Sequence, residues 1–452
     1  MIELNHIKNI YFIGIGGIGM SALARYFKFQ GKNVAGYDKT STPLTRTLES
    51  EGIQVIYDEA VASIPDDFTH LEGTLVVYTP AIPKEHKQWL YFISREFPLK
   101  KRAEVLGLIS KGKQTLAVAG THGKTTTTAI LGHLLKETGA PVTGFLGGIS
   151  EDIQSNLILK GNEVIVVEAD EFDRSFLQLA PNIAAITSMD ADHLDIYGEK
   201  EELEKTFRDF AALVPESGTL FVKNGLPIAG TTLGIEDDAD YAATDIRIEN
   251  GTYHFNLRTP NGVIKDLKFN LPGKHNLLNA ITALAMAIQY GSPTDERLAR
   301  ALFSFKGVRR RFTYKIKTDE LVLIDDYAHH PAEIEAVHQA VREMHPGKKV
   351  LAVFQPHLFS RTRDFGDDFA KSLAKFDELL LLDIYPAREQ PIEGINSVWL
   401  FDQIKMNSKK LITKEQLSEE VKKSKAGVIV MMGAGDIGEE VEPLKNILLN
   451  EK

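Results

Sequence analysis

Short apolar runs alternate along this chain with longer stretches whose apolar positions recur every three to four residues, the pattern of buried parallel strands joined by helices. The first unit reads as a strand over Asn9–Ile13, a turn Gly14-Ile15-Gly16-Gly17-Ile18-Gly19, a helix from about Ile18 to Gln30, and a strand Asn33–Tyr37 ending at Asp38. Strand, turn, helix, strand is a right-handed βαβ unit. Alternation continues to Thr74–Tyr78, which runs into the proline-punctuated loop Thr79-Pro80-Ala81-Ile82-Pro83. A second series opens with Gln114–Ala119 and adds strands over Glu163–Val167 and Asn182–Thr187. Between Asp240 and Leu271 the texture changes to polar and apolar alternation broken by Asn250-Gly251 and Pro260-Asn261-Gly262, which predicts an antiparallel excursion. An alanine-rich helix over Asn276–Gln289 follows. A third series has strands at Leu321–Ile324, Val350–Phe354, Leu379–Leu382 and Gly427–Met431.

At 452 residues the chain is too long for one hydrophobic core, and about 150 residues per domain suggests three. The expected fold is α/β throughout. The breaks in the pattern are expected near residues 106 and 307, giving three α/β domains over residues 1–106, 107–307 and 308–452.

Composition narrows the chemistry. There is no cysteine, which excludes disulfides, thiolate nucleophiles and sulfur-bound zinc and leaves oxygen and imidazole ligands, suited to a hard cation such as Mg²⁺. A formal charge of −10 argues against nucleic acid as partner. The first residues lack a charged region followed by an apolar core, and no apolar run reaches the roughly 20 residues needed to span a bilayer. The expected compartment is the cytoplasm, without membrane insertion.

Two turns carry the candidate chemistry. The first fits G-x-G-x-x-G, with Asp38 placed where a dinucleotide fold would hydrogen-bond a ribose. Alone it would suggest an NAD-dependent dehydrogenase, yet the same spacing recurs at Gly433-Ala434-Gly435-Asp436-Ile437-Gly438, where a tight strand-to-helix turn suffices. The second, Gly120-Thr121-His122-Gly123-Lys124-Thr125-Thr126, is a shortened phosphate loop. Its glycines let the backbone approach an anion, Lys124 can grip the β- and γ-phosphates of ATP, and Thr125 can offer a hydroxyl to Mg²⁺.

Glu168-Ala169-Asp170-Glu171 and Asp190-Ala191-Asp192-His193-Leu194-Asp195 end two successive central strands. In an open parallel sheet both endings lie at the edge that bears the lysine turn, so Glu168 and His193 join Thr125 as candidate metal ligands. Asn276 and Asn279, three apart on one helix face, could read a purine edge, Asn276 alternatively serving as an N-cap. Arg309, Arg310 and Arg311 sit at a domain boundary, either as a solvated basic patch or as a hinge that swings a cation onto phosphate. His329 and His330 are adjacent, which suits ligand positioning better than zinc.

Taken in order, these motifs resemble the Mur ligase family over essentially the whole chain. They include Gly14 to Ser21, Gly120 to Thr126, Glu168 to Glu171, Asp192 to Asp195, His275-Asn276 to Asn279, the arginine run, Asp325-Asp326-Tyr327-Ala328-His329-His330-Pro331, and Gln355-Pro356-His357 to Arg361-Thr362-Arg363. The resemblance implies an N-terminal Rossmann-like domain for the sugar nucleotide (1–106), a central P-loop ATP-binding domain with a mostly parallel sheet (107–307) and a C-terminal Rossmann-like domain admitting the amino acid (308–452). It also implies an ATP- and Mg²⁺-dependent ligase of peptidoglycan precursor synthesis that joins L-alanine to the lactyl carboxylate of UDP-N-acetylmuramate through an acyl phosphate, as a monomer or weak homodimer. A sister activity, addition of a preformed peptide to the same sugar nucleotide, is the alternative.

By the same resemblance, Gly16, Gly17 and Ile18 present backbone N–H groups to the UDP pyrophosphate, with Asp38 and Thr79 nearby. The lysine turn and Asn279, with His275 or Asn276, serve ATP; Asp326 faces its ribose and Arg311 its phosphates. Lys124, His193 and Arg311 are the catalytic set, and His357 and Arg361 address the substrate's carboxylate end. One family feature is missing: where relatives carry a carbamoylated lysine, this chain has Phe207, with Lys205 two positions away. No such modification is expected.

Overall fold

A computed structural model describes residues 4–190, 200–249, 251–294, 296–387 and 389–450. The N-terminal sheet contains β1 (Asn9–Ile13), β2 (Asn33–Tyr37), β3 (Gln54–Ile56), β4 (Thr74–Tyr78) and β5 (Leu99–Lys101), in the order β3-β2-β1-β4-β5 with every pairing parallel. This strand order places the turn after β1 beside the switch point of the sheet, where α/β folds bind ligands.

The central sheet has ten strands. These are β6 (Gln114–Ala119), β7 (Val142–Ser150), β8 (Ser155–Leu159), β9 (Val164–Glu168), β10 (Ile183–Ile186), β11 (Thr219–Lys223), β12 (Thr231–Ile235), β13 (Tyr241–Glu249), β14 (Thr252–Thr259) and β15 (Gly262–Phe269). Their order is β15-β14-β13-β12-β11-β10-β6-β9-β7-β8. Strand β6 lies between β9 and β10 and is parallel to both, so three strand ends meet at one edge. The expected excursion is β13 to β15, neighbours joined by connections too short for a parallel crossover. The hairpin β7–β8 was not foreseen: Gly144, Gly147 and Gly148 interrupt its apolar pattern, and β8 pairs antiparallel to β7 at the sheet's edge.

The third sheet is β16 (Thr313–Lys317), β17 (Val322–Asp326), β18 (Val350–Phe354), β19 (Glu378–Leu381), β20 (Lys409–Leu411) and β21 (Val428–Met432), in the order β16-β17-β21-β18-β19-β20. All its pairings are parallel except the edge pair β16–β17.

By contact density the chain forms two compact units. One comprises Met1–Thr244, Leu257–Ile264 and Asn279–Phe305; the other comprises Asp245–Asn256, Lys265–Leu278 and Lys306–Lys452. Within the first, a single apolar cluster runs from Phe12 and Phe27 through Val105 and Leu106 to Ala117, Phe145, Val167 and Phe207. The N-terminal and central sheets thus share a core, with Leu106 inside it. Phe207 is fully buried against Phe176, with ring centroids 5.5 Å apart, and Lys205 is exposed. Phe207 thus belongs to the apolar core.

Candidate active site

In the N-terminal domain, Gly14 adopts φ +90°, and a Cβ there would lie 2.8 Å from the Thr79 side chain. The turn and the helix it starts, Ile18–Phe29, border a cavity of about 820 Å³. Asp38, Thr79 and Arg102 line it from one side, and Gly147, Glu168 and Asp170 from the other. That volume is of the size that encloses a ligand.

The Gly16 N–H donates to Asp38 Oδ2 at 2.7 Å, and the Gly17 N–H donates to Gly14 O at 3.3 Å, so each amide expected to meet the pyrophosphate has a protein oxygen as partner here. Asp38 closes on the turn because Gly16 has no side chain: a Cβ would stand 2.8 Å from the same carboxylate oxygen. The helix beginning at Ile18 also offers its terminus to an anion, since its preceding residue Gly17 provides no side-chain cap.

The lysine turn is built as a cradle. Gly120 has φ +133° and Gly123 φ +85°, both left-handed and both without room for a side chain: a Cβ on Gly123 would meet Asn279 Oδ1 at 2.5 Å. Residues just past β10 brace it from below. Ser188 Oγ accepts from the His122 N–H at 2.7 Å and pairs with Thr121 Oγ1 at 2.9 Å, while Thr187 Oγ1 donates to His122 O. Sequence reasoning missed Thr187 and Ser188 because their hydroxyls meet the turn only through the β6–β10 pairing. The helix Lys124–Glu137 then begins, with Thr125 and Thr126 buried in its first turn. Asn279 is likewise buried, packed against Gly123.

Lys124 Nζ donates to Gly120 O at 2.6 Å and to Glu171, whose two carboxylate oxygens lie at 2.9 and 2.8 Å. Glu171 is 0% exposed and Lys124 13%. Burial alone would lower the lysine's pKa, but the carboxylates of Glu171, Asp170 and Glu168 outweigh it and hold the ammonium above its ordinary value. The turn therefore keeps a permanent positive charge.

Glu168 ends β9, accepts the Gly147 N–H at 3.0 Å, and faces the cavity. Asp170, also on the cavity, pairs with Arg102 Nη2 at 3.2 Å, and Arg102 packs against Gly19 of the glycine turn. Nothing in the sequence around Arg102 announced this. His193, the third candidate metal ligand, lies outside the described residues. Thr125 and Glu168 offer only hard oxygen donors, a set that suits Mg²⁺.

The second unit carries the remaining candidates. Asp326 ends β17, and its two oxygens accept the N–H groups of Phe312 (2.6 Å) and Ala328 (2.8 Å). The carboxylate expected to face a ribose thus also holds its own loop. The guanidinium of Arg311 lies 5.2 Å from the Tyr327 ring centre and 3.9 Å from Glu333. Arg310 is a clamp: it donates to Gly433 O at 2.5 Å, and its side chain fills the space beside Gly438. The C-terminal glycine motif is accordingly a structural turn, with Gly433 at φ +148°. Asn276 Nδ2 donates to Pro272 O at 2.7 Å, a helix-start contact. Arg361 is buried with Nη1 3.4 Å from His357 Nδ1, and His357 stacks on Tyr385.

Two groups of this unit titrate in opposition. Burial raises Asp326 to about 6, partly offset by Arg311; burial lowers His275 to about 4, with Glu333 opposing it. Asp326 adds stability that is full below pH 3.8 and is lost as pH rises through about 6, whereas the His275 contribution is full above pH 6.5 and is lost as pH falls through about 4. In the intact protein the two offset one another between pH 4 and 6. His275→Gln removes one, so that variant's unfolding free energy should fall with rising pH across this window relative to the parent; urea titrations at pH 4.5 and 6 give the slope, and parallel curves would refute it.

Three family models align with the chain in order: "Mur ligase family, catalytic domain" over residues 9–114, "Mur ligase middle domain" over 118–287 and "Mur ligase, glutamate ligase domain" over 310–435. A UDP-N-acetylmuramate–L-alanine ligase of Christiangramia forsetii is 69% identical over 452 residues, covering all of both chains. The crystal structure of the UDP-N-acetylmuramate-alanine ligase MurC of Thermotoga maritima matches with TM-score 0.84 at 28% identity, covering 98% of this chain and 100% of that one. A MurF ligase from Thermotoga maritima, solved in complex with ADP, shares the fold at 17% identity and TM-score 0.64, with full coverage of both chains.

Proposed function

Because the chain belongs to the Mur ligase family, we propose that it is an ATP-dependent ligase joining L-alanine to the lactyl carboxylate of UDP-N-acetylmuramate, a step of peptidoglycan precursor synthesis. The observation that carries the reading is the placement of Glu168 and Asp170. Glu168 ends the strand beside β6, Asp170 follows two residues later, and both line the cavity bordered by the glycine turn. An acid anchored at the first turn therefore meets the edge that handles phosphate.

A carboxylate oxygen of the substrate attacks the γ-phosphorus of ATP, the bond to the β-phosphate oxygen breaks, and ADP leaves. The amine of L-alanine then adds to the acyl carbon, and the tetrahedral intermediate loses a proton and expels inorganic phosphate, leaving an amide. Lys124 turns from Glu171 to the transferring phosphate and neutralises charge in a site with little water. Thr125, Glu168 and His193 would hold Mg²⁺, which supplies further charge neutralisation when bound.

In this reading residues 1–106 take the sugar nucleotide, with the Ile18 helix terminus, Asp38 and Thr79 toward its uridine diphosphate. Residues 107–307 take ATP, through the turn Gly120 to Thr126 and Asn279. Residues 308–452 admit the amino acid. His275, Asn276, Arg311 and Asp326 are assigned to ATP, and His357 and Arg361 to the carboxylate end of the substrate. Among the described residues no helix is long and apolar enough to cross a membrane. The proposal assigns the reaction to the cytoplasm and the enzyme to a monomer or weak homodimer.

The test is phosphate release by purified protein given ATP, Mg²⁺ and UDP-N-acetylmuramate, with and without L-alanine. Release should require the amino acid, and the product should carry one alanine by mass. Turnover with a preformed peptide but not with alanine would favour the sister activity and overturn this one.

A further inference from the structure

The unforeseen hairpin β7–β8 touches the machinery of both turns. Gly147 on β7 donates to Glu168. Asp152, between the strands, lies 3.8 Å from His133 Nδ1 on the helix that begins at Lys124. Asn156 on β8 is fully buried, and its amide enters the first helix of the N-terminal domain. There Nδ2 donates to Ile18 O and to Ser21 Oγ, the latter at 2.9 Å, and Oδ1 accepts from Arg25 Nη1. Arg25 is held in turn by Glu51 through bonds of 2.7 and 3.0 Å. Beside this network Tyr26 packs on Phe145 of β7, with ring centroids 5.4 Å apart.

Ile18 and Ser21 form the first turn of the helix that starts in the glycine turn. The apolar contacts at this seam are non-directional and would tolerate sliding of the helix along the strand. The amide is not so permissive: both its donor hydrogens and its acceptor oxygen are used, and a shift of about 1 Å would strand buried polar groups. Where the shared core and the Arg102–Asp170 pair hold the two sheets together, this side chain adds a directional constraint on where the glycine turn sits relative to the edge bearing Glu168 and Lys124.

Resting on the functional reading above, we propose that Asn156 is a positioning residue for phosphoryl transfer. It holds the sugar-nucleotide turn in register with the lysine turn, so that its loss lowers turnover more than it weakens either nucleotide's binding. A misplacement of about 1 Å in such reactions costs about 10²-fold in rate.

Asn156→Leu keeps the approximate shape and removes every polar contact. Steady-state kinetics should show kcat lowered about 10- to 100-fold, with KM for ATP and for UDP-N-acetylmuramate nearly unchanged. A kcat within twofold of the parent in folded protein overturns the proposal. Should Asn156→Leu not fold, Ser21→Ala, which deletes one acceptor of the Asn156 amide and the Ser21 hydroxyl's own 3.0 Å bond to Ile18 O, should still lower kcat severalfold at unchanged KM, and an unchanged kcat there overturns it equally. A readout independent of activity separates this inference from the assigned reaction. The chain has no cysteine, so spin labels on cysteines introduced at the exposed positions Gln30 and Glu216 report the distance between the two domains. Asn156→Leu should broaden that distance distribution, and an unchanged width refutes the positioning role whether or not the parent turns over L-alanine.

Discussion

Lys124→Ala should lower amide formation by about 10³-fold or more while binding of UDP-N-acetylmuramate persists. In the proposed reaction the Lys124 ammonium meets the transferring phosphate, and deleting one such stabilising group costs about 10²- to 10³-fold, or more where it meets a transferring phosphoryl group. Sugar-nucleotide binding persists because the glycine turn and its helix belong to another sheet. Calorimetry with UDP-N-acetylmuramate checks this division, and a parallel loss of affinity would count against it. The substitution also leaves Glu171, 0% exposed, without its partner. Removing one member of a buried pair costs about 3–5 kcal/mol, so the loss of activity needs a control for folding. The double variant Lys124→Ala/Glu171→Gln deletes both charges. It should recover much of the melting temperature and none of the turnover, which separates the chemical role of the lysine from its structural one.

Gly120→Ala should be nearly as damaging, for a backbone reason. At φ +133° a side chain is strained whatever the space, at a cost of about 1–3 kcal/mol. The added Cβ would also stand 2.8 Å from Ser188 N and press on Thr187 Oγ1. Both residues brace the turn: Ser188 O accepts the Thr121 N–H at 3.2 Å, and Thr187 Oγ1 donates to Ala119 O at 3.1 Å. Relief requires the turn to lift off β10, which displaces Lys124 and the N–H groups that cradle phosphate. Turnover should fall by about 10²-fold, and binding of ADP measured by calorimetry should weaken with it. ADP affinity equal to that of the parent would show that the turn accommodates the methyl group and would refute the argument.

The strand Gln114–Ala119, its turn and the helix that follows were legible because each is dictated locally. An apolar run, two glycines at left-handed φ and a lysine with hydroxyls specify a strand, a turn and a helix start without help from the rest of the chain. The strand ending at Glu168 followed from the same logic, as did β10 to within a residue and β17 with a helix at Pro331, whereas the edge strand β16 was not foreseen. The hairpin β7–β8 was not legible, since its glycines hide the strand pattern and its pairing depends on β9. The use of Asp38 was only half legible. Its place at the end of β2 followed from the pattern, but the hydrogen bond to Gly16 arises from the proximity of β1 and β2 in the sheet.

The sequence by itself determined the order of its main elements, the two glycine-rich turns, the α/β class and the ligase family, because these rest on residues close together along the chain. Only the tertiary structure decided which groups meet. Lys124 finds Glu171 at 47 residues' separation, Gly147 finds Glu168 at 21, and Asn156 finds Ser21 at 135. The physical reason is that a buried charge or amide must be satisfied by whatever the packed sheets bring within about 3 Å. That partner is fixed by strand order and helix placement, which the local pattern does not encode.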